Sequence, residues 1–190
     1  MTVYSGFTDK TPDHLLLDAG AFYKNYVVET GVGTLLGATR GGGEFKAAPE
    51  TRIIEADGVK GAAKGLRALD SWEVALTANL LEITPETLAM ALTTGSVDTV
   101  SNEDYDIISA SNTLSLEHYI DNITWVGRLS GSGKPVVIQI FNALNTEGVT
   151  LSVEDKNESV LPITFAAHYD SAALDTPPFK IYYPKLSTTP

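Results

Sequence analysis

The sequence has no cysteine among its 190 residues, so it forms no disulfide bond and carries no thiolate chemistry. This is compatible with a reducing compartment but does not establish one. Histidine is also scarce, and the three in the chain are His14, His118 and His168. No two of them lie within five residues of each other, so the short histidine motifs that bind metals do not occur.

Long apolar runs are missing as well. No stretch approaches the roughly 18 residues that a membrane-spanning helix needs. The first residues, MTVYSGFTDKTPDH, lack the basic and then apolar pattern of a signal peptide. We therefore expect neither a membrane anchor nor a secretion signal.

Basic residues are few and are scattered along the chain. Thirteen Lys and Arg stand against 24 Asp and Glu, which gives a formal net charge of −11. Binding to nucleic acid through its phosphates requires a basic face, so we expect no specific binding of DNA or RNA. Hydrophobic residues at 43% and charged residues at 19% are ordinary for a globular protein, and the length predicts one domain, residues 1–190.

The motifs that carry chemistry fail when each is tested. The turn at residues 131–134, Gly-Ser-Gly-Lys, is no phosphate-binding loop, because that motif needs Gly at the position of Arg128 and Ser or Thr at that of Pro135. No G-x-S-x-G nucleophile motif occurs, and the acidic residues 103–106 lack the glycine and distal glutamate of an EF-hand. We therefore predict no catalytic, cofactor-binding or metal-binding residue from these motifs. Carboxylate pairs of the glycoside hydrolase type depend on spatial distance and stay open.

The clearest structural signal lies in residues 69–95. Every second residue in its first half is apolar, which is the period-two pattern of a strand with one buried face. These residues are Trp72, Val74, Leu76, Ala78 and Leu80. The alternation shifts by one residue at Leu81, which predicts a β-bulge inside the strand.

A short α-helix is predicted directly after this strand, at about residues 85–94. Thr84 supplies an N-cap hydroxyl, and Pro85 occupies the first helical position, where its missing N–H costs nothing. Gly95 is the predicted C-terminal stop. An apolar stripe runs along one side of the helix and consists of Leu88, Ala91 and Leu92.

Further apolar or alternating stretches predict strands separated by turn residues. They are residues 14–18, 21–23, 44–55, 105–110, 123–129, 135–144, 149–153, 161–169 and 179–183. Strands at this spacing are typical of a β-sandwich or β-barrel. The predicted fold class is mainly β, α+β by content: a β-sandwich or barrel with one flanking helix, a long loop and terminal arms.

The predicted long loop covers residues 39–70, because glycines interrupt the segment and it contains a single strand pattern. Such a loop is usually functional or ordered by a partner, and an ordinary surface loop is the alternative interpretation. The candidate contact residues in it are Gly41, Gly42, Gly43, Phe45, Arg52, Gly58, Gly61 and Gly65. Candidate core or interface anchors are Trp72, Leu76, Leu88, Leu92, Trp125 and Phe165. The predicted arms are residues 1–12 and 184–190.

Three stretches of the chain resemble a known protein family. They are GATRGGGEFKAAPETRIIEADGVKGAAKGL at residues 37–66, the strand-to-helix junction at 72–92, and LPITFAAHYD at 161–170. In order and spacing they resemble the tail tube protein, or major tail protein, of long-tailed bacteriophages. The resemblance covers most of residues 37–170, and none of the three stretches is a chemical signature.

The resemblance implies a β-sandwich or barrel with a flanking helix and a structural role. In this family, subunits close into six-membered rings, and the rings stack into a hollow tube through which DNA passes from capsid to host cell. The implied partners are further copies of the chain, a tape-measure protein, a tail terminator and tail-tip or baseplate proteins. No cofactor and no catalysis are implied, and the implied location is the virion tail, after assembly in the host bacterial cytoplasm.

This resemblance assigns roles to the features described above. Residues 39–70 and the two arms become the expected contacts between subunits, and the sheet edges of neighbouring subunits are expected to pair. An acidic lining would repel DNA phosphates within a Debye length of about 8 Å at physiological salt. DNA would then slide through the tube without binding specifically.

Three alternatives stay open from the sequence. The first is a tube protein of a contractile tail or tail-like injection system, which a sheath partner would reveal. The second is a small-molecule-binding β-barrel, which requires an apolar cavity. The third is an acidic β-sandwich hydrolase, which requires convergent carboxylates in a cleft.

Overall fold

A computed structural model describes residues 6–186. The predicted arms at 1–12 and 184–190 lie partly outside the described residues. Within residues 6–186, the strands are β1 (Leu16–Val27), β2 (Val32–Leu35), β3 (Thr39–Ile53), β4 (Arg67–Leu80), β5 (Gly95–Asp98), β6 (Ile107–Ala110), β7 (Ile120–Leu129), β8 (Val136–Asn145), β9 (Leu161–Ala166) and β10 (Phe179–Tyr182). The helix α1 (Pro85–Ala91) lies between β4 and β5, and short 3₁₀ turns cover Thr11–His14 and Leu116–His118.

The protein is mainly β, as predicted, and its large sheet folds into a sandwich with one helix. The strand order is β2-β1-β7-β8-β9-β4-β3, and β10 also pairs with β8. Strand β8 belongs to both halves: its residues 137–140 pair with β10, whereas Leu144 and Asn145 pair with β9. Asn142, with a φ of 47°, lies between the two paired segments. Strands β5 and β6 form a separate hairpin.

The hydrophobic core lies between the two halves of the sandwich. Phe22, Ile123 and Ile140 enter it from the half that contains β1, β7 and β8. Phe165 and Ile163 of β9 enter from the other half and are completely buried. Burying a side chain of this size contributes about 1.5–3 kcal/mol relative to leaving it exposed, so this cluster holds the two halves together.

The predicted face of β4 is confirmed. Val74, Leu76, Ala78 and Leu80 are buried, and the intervening residues are more exposed. The predicted bulge is wrong, because β4 ends at Leu80 and the next N–H donates to the carbonyl of Ala38 at 2.8 Å. The shift in the hydrophobic pattern therefore marks the end of the strand.

The start of helix α1 is confirmed and its predicted end is wrong. The Thr84 hydroxyl accepts a hydrogen bond from the Thr87 N–H at 3.2 Å, and the Thr87 hydroxyl accepts one from the Thr84 N–H at 2.8 Å. The helix ends at Ala91, and Thr93 takes the left-handed conformation, with φ 65°. Gly95 does not stop the helix but begins β5.

The strand predicted at 149–153 is also wrong. Residues 146–160 form no strand, and Val149, Leu151 and Val153 are exposed. These apolar residues alternate with polar ones, but no described strand pairs with them. The segment is instead attached to β3 through an ion pair of 2.8 Å between Arg40 and Glu158.

The long loop predicted at 39–70 is for the most part a hairpin. Residues 39–53 form β3, residues 67–70 belong to β4, and only residues 54–66 connect them. Gly41 and Gly42 have φ values of 77° and 67° and lie where the register between β3 and β4 shifts. These glycines make a bulge at the base of the hairpin, since positive φ is costly for other residues.

Within residues 6–186, no helix combines the length and apolar character needed to cross a bilayer.

Candidate functional site

The far end of the β3–β4 hairpin is exposed on both strands. Residues 49–65 are all exposed, whereas the continuous buried face of β4 begins at Val74. The far part of the hairpin is held by its own pairing, with Thr51 opposite Leu69 and Ile53 opposite Arg67. It therefore projects beyond the core as a preformed arm.

One edge of this hairpin is unpaired among the described strands, although its base at Gly42 packs against Ala19 of β1. Strand β3 is the last strand of the sheet and pairs with β4 alone among the described strands. Pro49, which lacks an N–H, lies within it, and such a residue is tolerated in an edge strand. The open edge presents a row of backbone donors and acceptors that a strand from another molecule can pair with.

The residues predicted as contacts at the base of the hairpin have a structural role in the fold. Gly41, Gly42 and Gly43 form or flank the bulge. The ring of Phe45 packs against the core, 5.9 Å from the ring of Phe179. These four positions shape the base of the arm and are not its exposed end.

The other predicted contacts, Arg52, Gly58, Gly61 and Gly65, lie near or at the exposed end. We define the hairpin tip as residues 51–69. Arg52 forms an ion pair of 2.9 Å with Asp70. Four large apolar side chains of the tip are between 41% and 54% exposed, namely Ile53, Ile54, Val59 and Leu69. A loop that carries this much exposed apolar surface is typical of an interaction site.

The predicted anchors divide between core and periphery. Leu76 and Phe165 are fully buried, so they stabilise the fold and face no other molecule. Three more pack against the core and are partly buried, namely Trp72, Leu88 and Trp125. Leu92 caps helix α1 and is also half-buried.

The charges of the chain are distributed unevenly, contrary to the scattered pattern expected. No Lys or Arg occurs between Arg67 and Arg128, and residues 68–127 contain ten Asp and Glu. This stretch therefore accounts for −10 of the net charge of −11. The hairpin tip has four basic and two acidic residues, a net charge of +2. The tip itself is thus weakly basic, although Glu50 and Asp70 flank it, whereas residues 68–127 are strongly acidic.

Part of this acidic surface lines a groove. The groove has a volume of about 1050 Å³ and lies between helix α1, residues 24–25 and 34–37, and residues 117–121. Four carboxylates line it, against one lysine, Lys24. They belong to Glu82, Glu86, Glu117 and Asp121. Apolar surface in the groove comes from Leu35, Leu36, Met90 and Val97. This acidic groove therefore offers both charged and apolar contacts.

Three of the four groove carboxylates are free. Glu82 accepts a hydrogen bond from the Ala38 N–H at 3.2 Å. Among residues 6–186, the carboxylates of Glu86, Glu117 and Asp121 take part in no hydrogen bond or ion pair. They remain available to a cationic partner.

Asp98, at the end of β5, has an internal role. Its carboxylate accepts hydrogen bonds from the Ser101 hydroxyl and from the N–H groups of Val100 and Ser101. The Ser101 hydroxyl, followed by these two N–H groups, lowers the pKa of Asp98 below its ordinary value of 3.8. Hydrogen bonds that favour the charged carboxylate explain the direction of the shift, and their effect is to order the β5–β6 turn.

The histidines serve separate local contacts. His14 lies 3.1 Å from the Tyr183 hydroxyl, His118 is bonded within its own turn to Ser115, and His168 lies 3.0 Å from the Asn142 carbonyl. In the described part of the chain, no three His, Cys, Asp or Glu side chains are placed to hold a metal ion.

The sequence matches no protein-family model and no curated protein.

Sequence reasoning singled out residues 39–70, although as a long loop and not as a hairpin, and it missed the acidic groove. The groove is built from five segments, within residues 24–25, 34–37, 82–97, 117–121 and 144–145, and no local pattern links them. A signal was present in the stretch of 60 residues without Lys or Arg, residues 68–127. This stretch shows where the negative charge is concentrated along the chain. It does not show that part of that charge lines the groove.

Proposed function

We propose that this chain is the structural subunit of a bacteriophage tail tube, which assembles into stacked, six-membered rings in the virion tail. The observation that supports the proposal most directly is the β3–β4 hairpin, an exposed, preformed arm with one open sheet edge. The sandwich with one helix is the fold that the family resemblance implies. A tube protein of a contractile tail needs the same fold and the same contacts between subunits, and it remains the alternative.

A tube needs two kinds of contact between identical subunits. Closing a ring requires a head-to-tail interface, and stacking the rings requires a second interface between their faces. The open edge of β3 fits the first kind, because pairing with a neighbouring strand satisfies its free backbone groups. The hairpin tip extends far enough from the core to fit the second.

The charge of the chain also fits a conduit for DNA. Six copies at −11 each carry a formal charge of −66. Carboxylates on the inner wall would repel phosphates within a Debye length of about 8 Å at physiological salt. DNA would then pass without adhering to the wall.

The test is assembly of the purified protein and of a variant with a shortened hairpin. Because Ile53 and Arg67 are cross-strand partners, residues 54–66 are replaced by Asn-Gly, which favours a tight two-residue turn. We expect rings or hollow tubes of uniform diameter from the wild type by negative-stain electron microscopy. The variant should stay monomeric by light scattering while keeping its circular dichroism spectrum and thermal midpoint.

Two outcomes would contradict the proposal. A wild-type protein that remains monomeric at every concentration does not assemble as a tube subunit does. Tubes of normal length and yield from the shortened variant would show that the hairpin is not the principal contact, even if the protein forms a tube.

A further inference from the structure

We infer that the hairpin tip of one copy docks into the acidic groove of a second copy. The inference rests on the proposed self-assembly and names the two surfaces that meet. It is carried by their complementary charge and by the apolar side chains that both expose.

Among the described residues, the interactions of the hairpin tip are mainly within the tip itself. The backbone hydrogen bonds within residues 54–66 are local, such as those from Ile54 to Leu66 and from Val59 to Ala56. Among the described residues, Lys60 and Lys64 form no ion pair. Both lysines are exposed, as are the apolar side chains of Ile54 and Val59, so the tip has a mixed apolar and cationic character.

The acidic groove has the matching character. Glu86, Glu117 and Asp121 line it without partners, and Met90 and Leu35 add apolar surface. Lysine can lay its apolar stem along such side chains while its ammonium group reaches a carboxylate. A concave site of this volume also has the size of sites that enclose flexible ligands.

Because the tip and the groove are different surfaces, the contact is head-to-tail. Each copy offers one tip and accepts another, so the contact repeats until a ring closes or continues as a stack. Opposite charges at the two surfaces also increase the rate of encounter and disfavour tip-to-tip pairing, where like charges meet. Assembly should therefore weaken as the salt concentration rises.

The experiment uses two charge-reversed variants of the full chain. Variant one carries K60E and K64E in the tip, and variant two carries E117K and D121K in the groove. Each alone places like charges at every contact, and we expect at least a tenfold rise in the concentration needed for half-maximal assembly. In a one-to-one mixture, the acidic tip of variant one meets the basic groove of variant two, and the unchanged tip of variant two meets the unchanged acidic groove of variant one, so both contacts join opposite charges.

Matched controls separate this pairing from changes in net charge. K134E with K156E changes the net charge as variant one does, at exposed positions outside the tip and outside the predicted arms. E103K with D104K changes it as variant two does, in the same acidic stretch but outside the groove lining. We expect both controls to assemble like the wild type, and all variants to keep the wild-type circular dichroism spectrum.

The outcomes distinguish this inference from the proposed function. Recovery of assembly in the mixture, with neither variant assembling alone, supports direct docking of tip and groove. If wild-type tubes form but the mixture recovers nothing, or if either variant assembles normally alone, the docking is wrong and the tube proposal stands. If the mixture recovers short oligomers and the wild type never forms tubes, the docking stands and the tube proposal is wrong. A wild type that never self-associates overturns both.

Discussion

Replacing Gly95 by alanine tests how closely β5 packs against helix α1. A Cβ atom built at Gly95 would lie 2.3 Å from the Ala89 carbonyl oxygen, 2.7 Å from its Cα and 2.8 Å from its carbonyl carbon. All three are backbone atoms, so no side-chain rotation can relieve the overlap. Ordinary contact begins near 3.4 Å, and β5 must therefore move away from the helix by about 1 Å.

The expected cost follows from what such a movement disturbs. Overpacking of this kind typically costs about 1–3 kcal/mol. Residues 95–110 contribute no side chain to the core cluster, so the β5–β6 hairpin can shift as a unit and leave the sandwich intact. We therefore expect a loss of about 2 kcal/mol in the free energy of unfolding.

Urea unfolding of the monomer, followed by circular dichroism, measures this loss. With a denaturant slope of about 2–3 kcal/mol per molar, the midpoint should fall by roughly 0.7–1 M. Gly133→Ala is the matched control, because nothing lies within 4 Å of a Cβ atom there. Gly41→Ala isolates the cost of a positive φ, since its surroundings are also empty. If Gly95→Ala unfolds at the same urea concentration as Gly133→Ala, the close approach of β5 to α1 is wrong.

Two further predictions concern the same side of the molecule. Asn145 is 2% exposed, and its Nδ2 donates a hydrogen bond to the Ala91 carbonyl at 2.6 Å. Asn145→Ala should therefore lower the free energy of unfolding, measured in urea, by about 1–3 kcal/mol. A loss no larger than that of the exposed control Asn102→Ala would contradict this role. Because the folded pKa of Asp98 is lowered, the stability it adds is present above its unfolded pKa and is lost as the pH falls through the folded value. An NMR titration should give a pKa below 3.8 for this carboxyl and show the Ser101 amide losing protection in the same pH range, and a value at or above 3.8 would refute the assignment.

Local sequence patterns predicted the elements whose determinants are themselves local. The face of β4 followed from alternating apolar residues, and the start of helix α1 followed from Thr84 and Pro85. Both predictions depended only on residues that are close together in the sequence. The turn at 131–134 was recognised as the link of a hairpin for the same reason, since β7 and β8 pair on either side of it.

The wrong predictions concern features that distant residues decide. Residues 149–153 alternate as β4 does, but no strand is available beside them, so the pattern produced no strand. Glycines made residues 39–43 look like a loop, whereas the pairing with β4 draws them into a bulged strand. The acidic groove was beyond prediction because the tertiary fold brings its five segments together.

The position of β9 has a consequence for how the protein is made. This strand lies between β4 and β8 and joins the two halves of the sheet, yet it is formed by residues 161–166 of a chain of 190. During synthesis, β3 and β4 can pair as soon as they emerge from the ribosome, but β4 keeps its second edge unpaired until β9 follows. Such an edge is prone to wrong pairing. The second edge of β4 therefore stays open to wrong pairing until the residues that separate β4 from β9 in the sequence have been synthesised.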